Sequence, residues 1–221
     1  YYAFSLQPCM RMPLRAHWHT FDDYMNDMQS KHRTRLRRAQ KKGQEITKVE
    51  LSEAEIEQNI ETIHALYRRV ADGVGFNAFL LHERYFLALK QHLGERFRLV
   101  AYYLEGRMIA FYTAILNGEE LEAHFLGFDA STNAEYQTYL NILFDLVRAG
   151  IYHGKKVVDF ARTALEIKSS VGAQAQDMTC FLRHKNMLSN RLLQWLIHRF
   201  NPKEVWQERH PFKDGAQAEA E

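Results

Sequence analysis

The run from Val157 to Gly172 places Arg162, Thr163, Glu166, Lys168 and Ser169 within a few residues of a short apolar strand end. Charged groups just past the end of a buried strand face a cleft, because a buried loop could not satisfy them. Arg162 and Lys168 supply fixed positive charge, and Thr163 and Ser169 supply hydroxyl donors. Such a set recognises an anion, or the oxyanion that develops at a carbonyl under attack. Asp129 and Glu166 are the carboxylates placed to take a proton from an attacking amine. The structural alternative is an ion pair of Arg162 with Asp129 or Glu166 beside a solvated Lys168.

Those residues need a scaffold that brings two strand ends together. Arg98 to Leu104, a Glu105-Gly106 turn and Met108 to Leu116 read as one hairpin, and Asn117-Gly118 opens a second into Leu121 to Phe128. Thr132-Asn133-Ala134-Glu135 reads as a capping box opening one long helix with Tyr136, Tyr139, Leu140, Leu143 and Leu146 on its buried stripe. The Val157 strand then follows. A strand, a crossover helix and a second strand should be parallel and right-handed, with both C-terminal ends on one sheet edge. Ligands of open α/β sheets bind there. The free N–H groups near Asn133 to Tyr136 add an anion cradle at the same edge.

The first half reads as helices and an edge. Residues 1–15, with Pro8 and Pro13, read as an edge strand or extended lead-in. One helix should run from Phe21 through Lys42 and stop at Gly43. Gln44 to Leu51 reads as a strand, and Ser52-Glu53-Ala54-Glu55 caps a helix with Ile56, Ile60, Ile63, Tyr67 and Val70 inside. A further helix covers about His82 to His92. After the site come a strand from Met178 to Arg183, a helix from about Met187 to Phe200, and an acidic tail frayed from Asp214. Residues 1–213 thus read as one domain.

With 46% hydrophobic and 25% charged residues the composition is that of an ordinary globular protein, and a net charge of +2 does not mark the whole molecule as a polyanion binder. The charge is uneven, however. Lys31, Arg35, Arg38 and Lys42 share one helical stripe, with Arg33, Arg37 and Lys41 beside it. Like charges four residues apart repel, so a phosphate-rich ligand such as tRNA, a nucleotide-linked acceptor or CoA, or else pairing with Glu53, Glu55 and Glu57, must relieve them. Cys9 and Cys180 have no CxxC spacing and suit reduced cytoplasmic thiols. His82, His92, His153 and His184 lack metal-ligand spacing, and no metal is expected. His124, mid-strand, reads first as a hydrogen-bonded sheet histidine and second as a base. No apolar run reaches membrane-spanning length and no signal peptide opens the chain, which reads as a domain of a longer protein.

From Arg98 onward the chain resembles the GNAT superfamily of acyl-CoA-dependent N-acetyltransferases, and more narrowly its FemAB-like and BioF2-like branch. The residues that carry the resemblance are the basic segment Ser30 to Ala39, Leu121 to Asp129 with the helix after it, and Val158-Asp159-Phe160 leading to Ile167-Lys168-Ser169-Ser170-Val171-Gly172. The resemblance implies a GNAT-like mixed α/β fold and an acyltransferase, of the Fem kind linked to the cell envelope. It implies acyl-CoA (acetyl-CoA) or aminoacyl-tRNA as donor and a small amine as acceptor, and it adds Gly172 to the site. Where CoA-using members carry a glycine-rich segment, Asp129 to Glu135 has no glycine. Fem-like members share that gap. The other reading is a non-catalytic module that binds RNA through residues 31–42.

Overall fold

The computed structural model describes residues 2–73, 79–186, 189–192, 195 and 206–214. Strand β1 (Tyr2–Pro13) leads to helices α1 (Phe21–Asp27) and α2 (Ser30–Lys42). The single helix expected through Lys42 is therefore broken. Met28 bridges to Phe212, and the Gln29 amide donates to the carbonyls of His210 and Phe212 at 3.0 Å. These tertiary bonds replace the helical ones.

Strand β2 (Thr47–Glu50) precedes α3 (Glu53–Gln58), which opens on the expected Ser52 capping box, and α4 (Ile60–Ala71) follows across a break at Asn59. Next come α5 (Tyr85–Leu93) and the meander β3 (Phe97–Leu104), β4 (Arg107–Asn117) and β5 (Glu120–Phe128). Its first turn has Glu105 and Gly106 both at positive φ, the conformation that matches strand twist. The chain continues through α6 (Ala130–Tyr136), α7 (Thr138–Tyr152), β6 (Val157–Asp159), α8 (Leu165–Ser169) and β7 (Gln174–Leu182). The helix expected from Met187 and the tail after Asp214 lie largely outside the described residues.

Two expectations about the crossover helix are corrected. Its N-cap is Asp129, whose carboxylate accepts from Ser131 N, and not Thr132. The helix also breaks at Gln137, in the left-handed region at φ 49°. Asn141 explains the break, because its Nδ2 donates to Ala39 O on α2 and to Tyr136 O, while Asn133 Oδ1 accepts from Tyr139 N.

Among the described residues one seven-stranded sheet runs in the order β2-β3-β4-β5-β6-β1-β7. All neighbours are antiparallel except β5 and β6, which are parallel as expected. Strand β1 is not an edge, since it pairs with β6 on one side and β7 on the other. Pro8 falls in the register shift between Leu6 and Cys9, where no ladder donor is needed. Two apolar clusters cover the sheet. One joins α7 to Tyr112, Leu121 and Val158, and the other joins α3, α4 and α5 to Leu99 and Phe111.

Gly127 sets how close α4 comes to β5. A Cβ there would lie 2.5 Å from Leu66 C and 2.6 Å from Tyr67 N, both backbone atoms that cannot rotate away. Gly127→Ala is therefore expected to cost about 1–3 kcal/mol, read by chemical denaturation. A cost within 0.5 kcal/mol (about the scatter of a neutral surface change) would show that α4 is not seated this tightly.

Candidate active site

Strands β5 and β6 pair over three residues only, ending at Glu122 opposite Asp159. Beyond that point β6 stops and β5 continues to Phe128. The divergence coincides with a bulge: Ala114 faces Ala123 and Tyr112 faces Leu126, so His124 and Phe125 both oppose Thr113. The Thr113 hydroxyl fills the ladder, donating to Phe125 O at 2.8 Å and accepting from Phe125 N at 2.9 Å. The bulge bends β5 away from β6. Between them opens a cavity of about 790 Å³, with Tyr112, Ala123, Leu126, Phe128, Tyr139 and Phe160 among its walls. An unpaired strand edge in an apolar cleft can hydrogen-bond an extended ligand.

Arg162, Thr163, Lys168 and Asn133 line this cavity. Their roles differ from those expected. The Asn133 amide oxygen is occupied by Tyr139 N, and Tyr136 packs on the main core outside the cavity. Neither carboxylate is in the cavity wall. Asp129, with 14% side-chain exposure, pairs with Arg69 at 2.8 Å and Arg107 at 3.6 Å. The Ser131 hydroxyl, ahead of Arg69, holds its pKa below the usual carboxylate value. An acid so stabilised in its charged form is a poor proton acceptor, and its place is structural. Glu166 pairs with Arg209 on a neighbouring cavity of about 550 Å³, which Arg35 and Trp206 also line.

Ser169 is buried; its hydroxyl donates to Glu166 O and accepts from Arg209 N. Gly172, at φ 108°, meets the Phe212 ring, where a Cβ would come within 2.5 Å. Both fasten the 206–214 segment.

The cavity wall from Ala161 to Ala164 is conformationally costly. Ala161, Thr163 and Ala164 all have positive φ, at 56°, 69° and 49°. Each non-glycine residue so placed costs on the order of 1 kcal/mol, and a β-branched threonine is an outlier there. Lys168 holds the segment. It is not solvated: its buried ammonium donates to Phe160 O at 2.6 Å and Arg162 O at 2.7 Å. Burial is the main reason its pKa falls to about 8, with Cys9 and Asp159 opposing the shift.

His124 reads from the sequence first as a hydrogen-bonded sheet histidine and only second as a base. It lines the cavity at the bulge, stacks on Tyr85 of α5, and shares a hydrogen bond of 2.8 Å between Nε2 and the Tyr85 hydroxyl. Burial lowers its pKa, with Glu122 opposing, so the ring is neutral at pH 7. Burial also raises the Tyr85 pKa and keeps the phenol protonated. When Nε2–H donates to the Tyr85 oxygen, Nδ1 is left as the basic nitrogen. No sequence signal links Tyr85 to His124, 39 residues apart.

Helix α2 docks beside α6 and α7 through Asn141, with Leu36 and Ala39 buried beneath it. Lys31, Arg35 and Arg38 are exposed, and none of the seven lysines and arginines of α2 is in an ion pair among the described residues. The acidic partners expected for them are engaged elsewhere: Glu53 with Gln91, Glu55 with Ser52, Glu57 with Arg84.

Residues 30–169 match the family model described as an acetyltransferase (GNAT) domain, well over half of the chain. The chain belongs to the GNAT acetyltransferase family. Curated proteins yielded no sequence relative. Among solved structures, FemX superposes on this GNAT chain with a TM-score of 0.60 at 13% identity, over 87% of this chain and 64% of FemX. L-PGS from Bacillus licheniformis superposes with a TM-score of 0.53 at 12% identity, over 91% of this chain and 68% of its own. At such identities the likeness shows the fold alone, and the GNAT chain spans less than two thirds of FemX. Among the described residues no helix is long and apolar enough to cross a membrane, and no three metal-ligating side chains cluster.

Proposed function

We propose that this GNAT domain is an N-acyltransferase moving an acyl or aminoacyl group from a phosphate-bearing carrier to an amine. The observation that carries the reading is the splay of β5 from β6, which puts a neutral histidine in an apolar cavity beside an unpaired strand edge. The amine nitrogen attacks the acyl carbonyl, the C–N bond forms, and the carrier's C–S or C–O bond breaks. Burial in the cavity positions the two reactants. The amine proton passes to His124 Nδ1 and on to the departing sulfur or oxygen. Asp129 and Glu166, the acceptors favoured from sequence, give way to His124 because neither reaches the cavity.

The unpaired cations of α2 favour a polynucleotide carrier, that is, aminoacyl-tRNA over acetyl-CoA, because a row of unneutralised charge suits an extended polyanion. They are also what favours the second reading, an RNA-binding module without chemistry. Transfer from acetyl-CoA and from aminoacyl-tRNA to a panel of primary amines separates the readings. Transfer from either donor supports the first, and salt-dependent tRNA binding without transfer supports the second. Arg35→Glu with Arg38→Glu is expected to raise KM for aminoacyl-tRNA about tenfold or more and to reduce the salt slope of its binding by about one per residue. An unchanged salt slope would remove α2 from the carrier site.

A further inference from the structure

A phosphate on a carrier needs donors, and the usual place after β5 is closed. The start of α6 is capped by the Asp129 carboxylate, which accepts from both N and Oγ of Ser131. An anion arriving there would meet a negative charge. Across the cavity the situation is reversed. The backbone N–H groups of Arg162, Thr163 and Ala164 have no partner among the described residues, and neither does the exposed Arg162 guanidinium. Successive amides around left-handed residues form a concavity suited to an anion.

We propose that the loop Ala161–Ala164 recognises a phosphate of the acyl carrier, and that Lys168 is the positioning residue that holds the loop open for it. This rests on the acyltransferase reading for the identity of the carrier, though not for the binding itself. The Lys168 ammonium draws the carbonyl oxygens of Phe160 and Arg162 toward itself, and these are the groups whose negative ends would repel a phosphate. The two carboxylates nearest the loop in sequence are already engaged: Asp159 accepts from Ala161 N at 2.7 Å and from Cys9 Sγ at 3.0 Å, with Arg11 at 3.6 Å, and Glu166 pairs with Arg209. Strain in three residues and a buried ammonium both oppose folding. Features that weaken the fold and gather on one cavity wall mark a site.

The probes are inorganic pyrophosphate, coenzyme A, and an RNA hairpin with a single-stranded 3′ end, titrated against wild type, Arg162→Ala and Lys168→Met. Arg162 is exposed, so its variant keeps the fold. Both variants are expected to weaken pyrophosphate binding by tenfold or more, read at a temperature where each variant is folded. In the transfer reaction the donor KM should rise while the acceptor KM stays put, a split that general loosening would not give. Loss confined to coenzyme A, or to the hairpin, identifies which carrier brings the phosphate. Pyrophosphate binding unchanged in Arg162→Ala overturns the loop's role, and unchanged binding in Lys168→Met overturns that of the lysine. Should Lys168→Met not fold, Lys168→Gln is read in its place by the same criterion. Binding without any transfer by wild type would instead sink the acyltransferase reading and leave the loop's assignment standing.

Discussion

Replacing His124 by glutamine is expected to lower kcat by about 10²- to 10⁴-fold, the range for loss of a positioned general base. The side chain keeps a polar group near Tyr85 but cannot accept a proton. In wild type the ring is neutral at pH 7 because burial lowers its pKa. Activity should therefore fall only as pH drops below 6.5, when the base becomes protonated, and His124→Gln should lack that limb in kcat. Stability gives a second readout. Below pH 6.5 the unfolded chain takes up a proton that the folded site refuses, so wild-type stability declines in acid. His124→Gln flattens that part of the curve. Tyr85→Phe removes the partner that orients the ring, and it should cost less than His124→Gln while leaving the limb in place. Full kcat in His124→Gln would return the proton to another group or to solvent.

The sequence made the meander legible because its determinants are local. Glu105-Gly106 and Asn117-Gly118 carry turn chemistry, and the strands between them are apolar. Arg162, Thr163 and Lys168 were legible as cavity residues because the end of a parallel strand fixes where the next residues go. Their partners were not. A lysine after a strand reads the same whether it meets a ligand or its own loop, and here the distances to Phe160 O and Arg162 O decide. Asp129 carries the same ambiguity, since aspartate between a strand and a helix suits both an N-cap and an active site.

The bulge at His124 depends on the register of Tyr112 and Ala114 across the sheet, and periodicity within β5 cannot show it. The break at Gln137 is likewise tertiary, because Asn141 must reach Ala39 of α2 to hold it. Local signals thus located the rim of the site. The direction of each side chain, and with it the proposed change of base from a carboxylate to His124, came from contacts between distant segments.

The largest loss of stability is expected from Asp145→Ala, about 2–4 kcal/mol, the cost of losing hydrogen bonds to a buried carboxylate and leaving the buried Tyr102 hydroxyl without its acceptor. Asp145 lies midway along α7 with 9% side-chain exposure. Its carboxylate receives Lys48 Nζ of β2 at 2.5 Å, Arg148 at 2.5 Å and the Tyr102 hydroxyl of β3. Removing it leaves a wholly buried phenol without its acceptor and releases a lysine that reaches from β2 to α7. For a chain of this size the loss corresponds to a Tm lower by roughly 4–16 °C. Because the three groups act together, Tyr102→Phe should cost less in the Asp145→Ala background than in wild type, a coupling of about 0.5–3 kcal/mol. The cluster lies outside the cavity, while the same helix carries Tyr139, Leu143 and Leu146 into its wall. Asp145→Ala should therefore leave the acid limb of kcat where His124 sets it, at temperatures where the protein is still folded. Denaturation curves within 1 kcal/mol of wild type (less than one lost buried hydrogen bond to a charged group) would show that the polar cluster does not fasten α7 to the sheet.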